Sequence, residues 1–371
     1  MRQSLSRPSP KYDLLIKSVS EGISFQSNMI FYNTGRDALV DGLELLGIQP
    51  DSKILIPAYM CDSAIAPLRE RGYILVFFDI EEDLSFNFKM LEGLIKKLDV
   101  RAILAPHYFG FPSKIQDLVR LCNRHGVQVI EDCAHSFLTQ IDDESVGSFG
   151  QIAIFSMRKT LAVPDGGALK FNCEAPSIEY VIRPKKILFQ DISYLIQRII
   201  ELIIVKIGRI NIYSDIFGRL RRYLSSAYSH SVNVRDSMCY GKCSNPSWML
   251  RAYLRDDAYL KEISSLRVKN YQTLAKNLKN SNIEVLFENI PMGCVPQCFI
   301  VKDAAGNLVN KFRKNCMGVT SWPSDELPII VRENPDRFPI ANKLSNTLVM
   351  LPVHQNISAH HINDMVAFLL D

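Results

Sequence analysis

Between residues 29 and 171 the chain alternates short, apolar, β-rich runs with stretches of helical period. The runs are MIFYN (29–33), KILIPA (53–58), ILVFFDI (74–80), AILAPHY (102–108), VQVIED (127–132), QIAIFS (151–156) and GALKF (167–171). Apolar residues recur at helical spacing between them and predict helices at 36–47, 89–98 and 114–125. Strands this apolar, separated by helices, are buried on both faces. The pattern therefore predicts a mostly parallel, seven-stranded sheet with helices on both faces. In such a sheet reactive groups gather beyond the carboxyl ends of the strands, where loops meet helix starts.

Residues 187–224 break the pattern: they are very apolar yet carry Arg198, Glu201, Lys206 and Arg209 within one helix-length window. That is too many charges for a bilayer span of about 20 residues. Gln190, Gln197 and Glu201 fall on one helical face and leave a broad apolar stripe. Two readings stand: a helix buried in a subunit or domain interface, or a weak membrane-surface contact aided by Arg219, Arg221 and Arg222. Beyond residue 245 the pattern loosens into a long helix at 248–280, short strands EVLF and CFIVKD, and a last helix near 358–370. The expected organisation is a large α/β domain over 1–186, an apolar helical connector over 187–244 and a smaller α+β domain over 245–371.

Composition narrows the function. With 47% hydrophobic residues and 43 Lys+Arg against 39 Asp+Glu, the chain is neither disordered nor strongly basic, which argues against a nucleic-acid partner. Nine cysteines at irregular spacing form no disulfide framework, and no leader pattern opens the chain, so a cytoplasmic setting is expected. The C-x3-C pairs Cys239/Cys243 and Cys294/Cys298 lack the tight flanks of a structural zinc site, and no metal is expected.

The chemistry lies at the strand ends. VQVIED ends in Glu131-Asp132, a carboxylate at the mouth of a buried strand that calls for a cationic partner. QIAIFS ends in Ser156, followed by Met157-Arg158-Lys159 and the turn Asp165-Gly166-Gly167. Thr34-Gly35-Arg36 carries the first strand into a helix whose start offers free N–H groups to a phosphate. Pro57-Ala58-Tyr59 brings an aromatic ring to the same edge. A lysine able to form an imine, a carboxylate for a protonated pyridine nitrogen, a phosphate cradle and a covering ring imply pyridoxal 5′-phosphate. Each residue also has a plainer reading: Lys159 as a solvated amine, Asp132 as a helix cap, Tyr59 as a core aromatic, His135, His107 and His354 as structural histidines, Cys133 as an apolar filler.

Taken in order, TGRDAL (34–39), PAY (57–59), PHYFGFP (106–112), VIEDCAH (129–135), VGSFG (146–150) and FSMRKTLAVPDGG (155–167) resemble the DegT/StrS-type sugar aminotransferases, which are fold-type I pyridoxal-phosphate enzymes. The ending LPVH (351–354) is also similar. The resemblance implies that Lys159 is the Schiff-base lysine and that Asp132 faces the pyridine nitrogen. It further implies that Gly35, Arg36 (both through backbone N–H) and Ser156 hold the phosphate, with Tyr59 and His135 near the ring. It implies transfer of an amino group, from glutamate, to a nucleotide-linked keto sugar for a polysaccharide or secondary metabolite. A homodimer with shared sites follows from the same resemblance, and Asn245 is the nearest counterpart of the family's asparagine from the neighbouring subunit. The serine-to-lysine stretch F-S-M-R-K is shorter than the family's, and 187–224 is atypical. These departures leave one alternative, a non-catalytic regulator or membrane-associated scaffold of the same fold; a second, a pyridoxal-dependent sugar dehydratase, is opposed by Lys159, since such enzymes resemble this family but carry histidine there.

Overall fold

A computed structural model describes residues 7–15, 29–173, 189–207, 243, 246–314, 318–323 and 326–370. The first half builds β1 (Met29–Tyr32), α1 (Gly35–Leu45), β2 (Lys53–Pro57), α2 (Asp62–Glu70), β3 (Ile74–Phe78), α3 (Phe88–Lys97), β4 (Val100–Pro106), α4 (Ile115–Arg124), β5 (Gln128–Asp132), β6 (Ile152–Ser156) and β7 (Gly167–Phe171). These seven strands form one sheet in the order β1-β7-β6-β5-β4-β2-β3. The pairs from β3 through β6 are parallel; β7 runs antiparallel to both of its neighbours, β6 and β1. The expected fold class is thus observed: the sheet is mostly parallel, and its central strands carry Ile54, Leu55, Ile103, Leu104, Val129, Ile130 and Ile152 at 0–1% exposure. Apolar side chains on both faces of a strand require a layer on each side.

Local chemistry sets several boundaries. Thr34 caps α1 in a reciprocal capping box: its side chain accepts from Asp37 N–H, and Asp37 accepts from Thr34 N–H. Asn87 accepts from Met90 N–H at the start of α3. Helix α2, which no pattern had singled out, contains Pro67 and begins at Asp62, whose carboxylate takes both guanidinium nitrogens of Arg69.

In the second half, the apolar stretch forms α5 (Phe189–Ile207) as far as it is described. Its apolar stripe is turned away from the other described residues. Ile192, Ile196, Ile199 and Ile203 are 43–52% exposed, whereas Asp191 and Arg198 are buried. Arg198 is drawn inward because its Nη2 donates to the carbonyls of Arg7 and Pro8 at 3.3 and 2.7 Å. Among the described residues no helix is long and apolar enough to cross a membrane. Residues 208–224, with Arg219, Arg221 and Arg222, lie outside the described residues.

The single helix expected at 248–280 is two, α6 (Trp248–Leu254) and α7 (Asp257–Leu278), because Asp256 leaves helical geometry and caps α7 through Tyr259 N–H. The chain continues through β8 (Cys298–Lys302), α8 (Leu308–Lys314), β9 (Thr320–Ser321), α9 (Pro339–Thr347), β10 (Leu348–Pro352) and α10 (Ala359–Leu370). Strands β8, β10 and β9 make an antiparallel sheet in that order, and α7 packs on α10. EVLF does not form a strand; it contributes one bridge, Val285 to Val301.

Candidate active site

The expected residues meet at the carboxyl edge of the large sheet. A cavity of about 320 Å³ is lined there by Thr34, Gly35, Asp132, His135, Ser156 and Lys159, together with Arg36, Tyr108, Trp322 and Arg267. Parallel order brings them together: β5 and β6 are neighbours, so Asp132 and Ser156 leave the sheet side by side. Gly167 is indispensable to the arrangement. A Cβ at that position would lie 2.2 Å from the backbone carbon and oxygen of Thr34. Only glycine lets the capped start of α1 rest on β7. Gly35 approaches the end of β6 as closely, since a Cβ there would sit 3.0 Å from the Phe155 carbonyl and 3.5 Å from Ser156 Cβ. Helix start and serine hydroxyl thus share one corner.

Lys159 sits in the short turn Met157–Lys159 directly after β6. Burial lowers its amine below the ordinary lysine range; Asp132 and then Cys61 oppose that, while Arg158 and Arg7 reinforce it. Asp132 is half-buried, with its Oδ1 accepting Ala134 N–H at 3.0 Å. Desolvation raises its carboxyl, and the Lys159 charge pulls it back. His135 is buried, its Nδ1 accepting Phe109 N–H at 3.2 Å, and burial followed by the Lys159 charge holds it well below the ordinary histidine range. It is therefore a neutral ring whose proton resides on Nε2.

Tyr59 departs from the expectation. It does not line the cavity; it is fully buried beside it, its hydroxyl donating to the Trp322 carbonyl at 2.8 Å and its ring meeting Trp322 edge-on at 4.6 Å. The rings lining the cavity are Tyr108, His135 and Trp322, with the imidazoles of His107 and His354. Asn245 lies outside the described residues.

Several residues with a part in the site carried no assignment in the sequence. Glu131, buried beside Asp132, accepts from His107 Nε2 (3.1 Å) and Gly147 N–H (2.8 Å) on one oxygen, and from the N–H groups of Phe149 and Gly150 (both 2.6 Å) on the other. His107 is thereby structural, as its plainer reading had it, and its Nδ1 accepts from Ser113 N–H at 3.0 Å. Arg267 is 1% exposed and donates to the carbonyls of Thr160, Pro296 and Gln297. Burial lowers it to about 10. Asp165 takes both the N–H and the hydroxyl of Ser247 at 2.6 Å, tying the glycine turn to the start of α6. Glutamate in an apolar strand, and an arginine at the buried heptad-like spacing Ile263, Arg267, Asn270, Leu274, were the available signals.

Of the C-x3-C cysteines, Cys239 lies outside the described residues, and Cys294 and Cys298 are buried, the Cys294 thiol raised to about 12 by burial. Among the described residues His107, Glu131 and Cys133 bring ligand atoms within 4.8 Å, but both Glu131 oxygens are already filled by the four donors above.

The fold is the α/β frame found in solved sugar aminotransferases. A putative sugar aminotransferase from Streptococcus pneumoniae in its PMP form superimposes with a TM-score of 0.72 at 13% identity, over 99% of this chain and 97% of that one. An aminotransferase from Brucella abortus gives 0.65 at 17% identity, over 97% and 89%. Residues 17–179 match the model of the DegT/DnrJ/EryC1/StrS aminotransferase family. The chain is 30% identical to the GDP-perosamine synthase of Vibrio cholerae over 145 residues, 38% of this chain and 39% of the relative. It is 32% identical to the UDP-N-acetyl-3-dehydro-alpha-D-glucosamine 3-aminotransferase of Acidithiobacillus ferrooxidans over 158 residues, 42% of each. The matched stretch thus spans about two fifths of the length of these curated relatives.

Proposed function

We propose that this chain is a pyridoxal-phosphate-dependent aminotransferase that moves an amino group from an amino acid, glutamate, to a nucleotide-linked keto sugar. The observation that carries the reading is the Lys159 amine, set in the cavity with its charged form disfavoured by burial and with Asp132 as its opposing charge. The cavity fits the cofactor part by part. Asp132 has Oδ1 occupied by Ala134 and no protein partner on Oδ2 among the described residues, which suits a protonated ring nitrogen. Ser156 and the first N–H groups of α1 make a polar corner for a phosphate. The rings of His135, Tyr108 and Trp322 give the heterocycle apolar walls.

When bound, the cofactor supplies an aldehyde for the imine and an electron-withdrawing ring that accepts the electrons of the broken C–H bond. The chain supplies the rest. Asp132 keeps the ring nitrogen protonated, and its high carboxyl range falls once a cation sits beside it. Lys159, as the free amine that burial favours, takes the proton from the donor carbon and returns it elsewhere. His135 presents an N–H without adding charge, and the aromatic wall excludes water.

The reading includes a homodimer, supported by the exposed row Ile192, Ile196, Ile199 and Ile203, which needs cover. It also places the reaction in a reducing, cytoplasmic compartment, supported by the free thiols of the seven described cysteines. Borohydride reduction of the holoprotein followed by peptide mass spectrometry should find a pyridoxyl group on Lys159, and Lys159→Ala should lose both the adduct and transamination from glutamate. An unmodified Lys159 in a protein incubated with excess cofactor refutes the reading and leaves the scaffold alternative. Light scattering tests the dimer: Ile196→Glu with Ile199→Glu should give monomers, whereas flotation of wild-type protein with anionic vesicles would assign the row to a membrane surface.

A further inference from the structure

Four guanidinium groups line this cavity; Arg267 is held by three backbone carbonyls, and no carboxylate among the described residues is paired with the other three. Arg7, Arg36 and Arg158 all line it. Arg36 follows Gly35 in the first turn of α1, and Arg158 adjoins Lys159. Arg7 arrives from a distant part of the chain, on an N-terminal strap fastened at four places. Arg198 of α5 holds the carbonyls of Arg7 and Pro8; Ser9 N–H donates to Asn356 Oδ1 at 2.8 Å; Lys11 N–H donates to the Tyr253 hydroxyl at 3.0 Å; and the Lys11 amine pairs with Glu262 at 2.6 Å. Among the described residues the Arg36 side chain reaches only the Ser63 carbonyl, at 3.4 Å.

The grouping is electrostatically unfavourable as it stands. Desolvation, then the charges of Arg7 and Arg36, lower Arg158 from its ordinary value; Asp37 opposes them. Asp37 is already engaged, accepting the N–H and the hydroxyl of Thr34. A guanidinium does not shed its proton in a protein, so the repulsion cannot be relieved by titration. An anion relieves it. Guanidinium forks match pairs of phosphate oxygens, and the polar corner of α1 and Ser156 lies in the same cavity.

We infer that Arg7, Arg36 and Arg158 form a phosphoryl clamp at this cavity, with the N-terminal strap delivering one of its three cations. Two sources carry the chemistry, the phosphate of an aldehyde cofactor and the diphosphate of a nucleotide-linked sugar. This naming of sources rests on the proposed function; the clamp itself does not.

The test is calorimetric titration of the full chain at low salt with pyridoxal 5′-phosphate, pyridoxal, inorganic pyrophosphate and uridine diphosphate. The variants are Arg7→Gln, Arg158→Gln and both together, with circular dichroism as the check on folding. Each single variant should weaken at least one phosphate-bearing probe about tenfold, the loss expected for a charge-assisted hydrogen bond. Pyridoxal affinity should stay within about twofold of wild type, since pyridoxal offers no phosphate to the clamp. Loss confined to the cofactor assigns the clamp to its phosphate, and loss confined to the two diphosphates assigns it to the substrate; either supports it. A double variant that binds every phosphate probe like wild type overturns it, as does a wild type that binds none. Should a variant misfold, the salt dependence of wild-type binding decides: three cations require affinity to fall steeply with ionic strength, and a flat profile overturns the clamp. Wild-type protein that binds pyrophosphate yet never yields a reducible adduct on Lys159 keeps the clamp and removes the aminotransferase reading.

Discussion

Glu131→Gln isolates the frame that carries Asp132. The buried carboxylate satisfies four donors, two on each oxygen. A glutamine amide has one oxygen and one NH2 group, so whichever way it turns, two donors face a donor. If the NH2 faces Phe149 and Gly150, both of their N–H groups are orphaned. If it faces the other side, Gly147 and His107 lose their acceptor, and His107 cannot swap tautomers because its Nδ1 already accepts from Ser113. Each orphaned buried donor costs about 1–3 kcal/mol, which puts the loss at roughly 2–6 kcal/mol. At about 2–4 °C per kcal/mol for a body of 150–250 residues, the melting midpoint at pH 7 should fall by at least about 4 °C. The pH dependence has a definite sign. Burial opposes ionisation of Glu131, but the His107 bond and the backbone N–H groups outweigh it and hold the carboxyl below its ordinary value of 4.5. The stabilisation is therefore complete above the unfolded value and fades as pH falls through the lower folded one. Melts followed by circular dichroism between pH 7 and pH 3 should show a flatter acid limb in the variant. A midpoint within about 1 °C of wild type at pH 7, together with an unchanged acid limb, would show that the four bonds add nothing net.

Three further outcomes follow. Asp132→Asn should leave the fold intact but lower kcat about 10²–10³-fold, as loss of a preorganised charge at the reacting group does, and steady-state kinetics with glutamate would read it; activity within threefold would separate Asp132 from the chemistry. Tyr59→Phe should lower stability by about 1 kcal/mol through the lost bond to the Trp322 carbonyl while leaving cofactor affinity unchanged, whereas a large fall in affinity would return Tyr59 to the ring. Gly167→Ala forces Thr34 away from β7 and should destabilise by about 1–3 kcal/mol or more, with weakened cofactor binding measured by absorbance titration, because the helix start moves with it.

The sheet was legible because its signal is local: all seven runs became strands within two residues at either end, and GALKF matched Gly167–Phe171 outright. Gly35, Asp132, Ser156 and Lys159 share one cavity for a topological reason, since parallel strands deliver their carboxyl ends to one edge. Tyr59 illustrates the limit. Its place in the chain put it at that edge, but the direction of its side chain depends on Trp322, 263 residues away. The apolar row of α5 was legible as a row; which side faces the chain was settled by the strap carbonyls that capture Arg198, a contact spanning 190 residues. The break at Asp256 was local and readable, an aspartate three residues before the Tyr259 N–H it caps.

The cavity wall has a consequence for how the molecule is made. Thr34 and Gly35 line the cavity together with Met350, Leu351 and His354, and Arg267 fastens the residue after Lys159 to the chain just before β8. Closing that wall joins segments more than 300 positions apart, among the slowest of chain closures, so during synthesis the sheet can form well before the pocket exists. A nascent chain stalled short of residue 350 would display Lys159 with one side of its enclosure missing, a state in which quality-control factors have an opportunity to engage it.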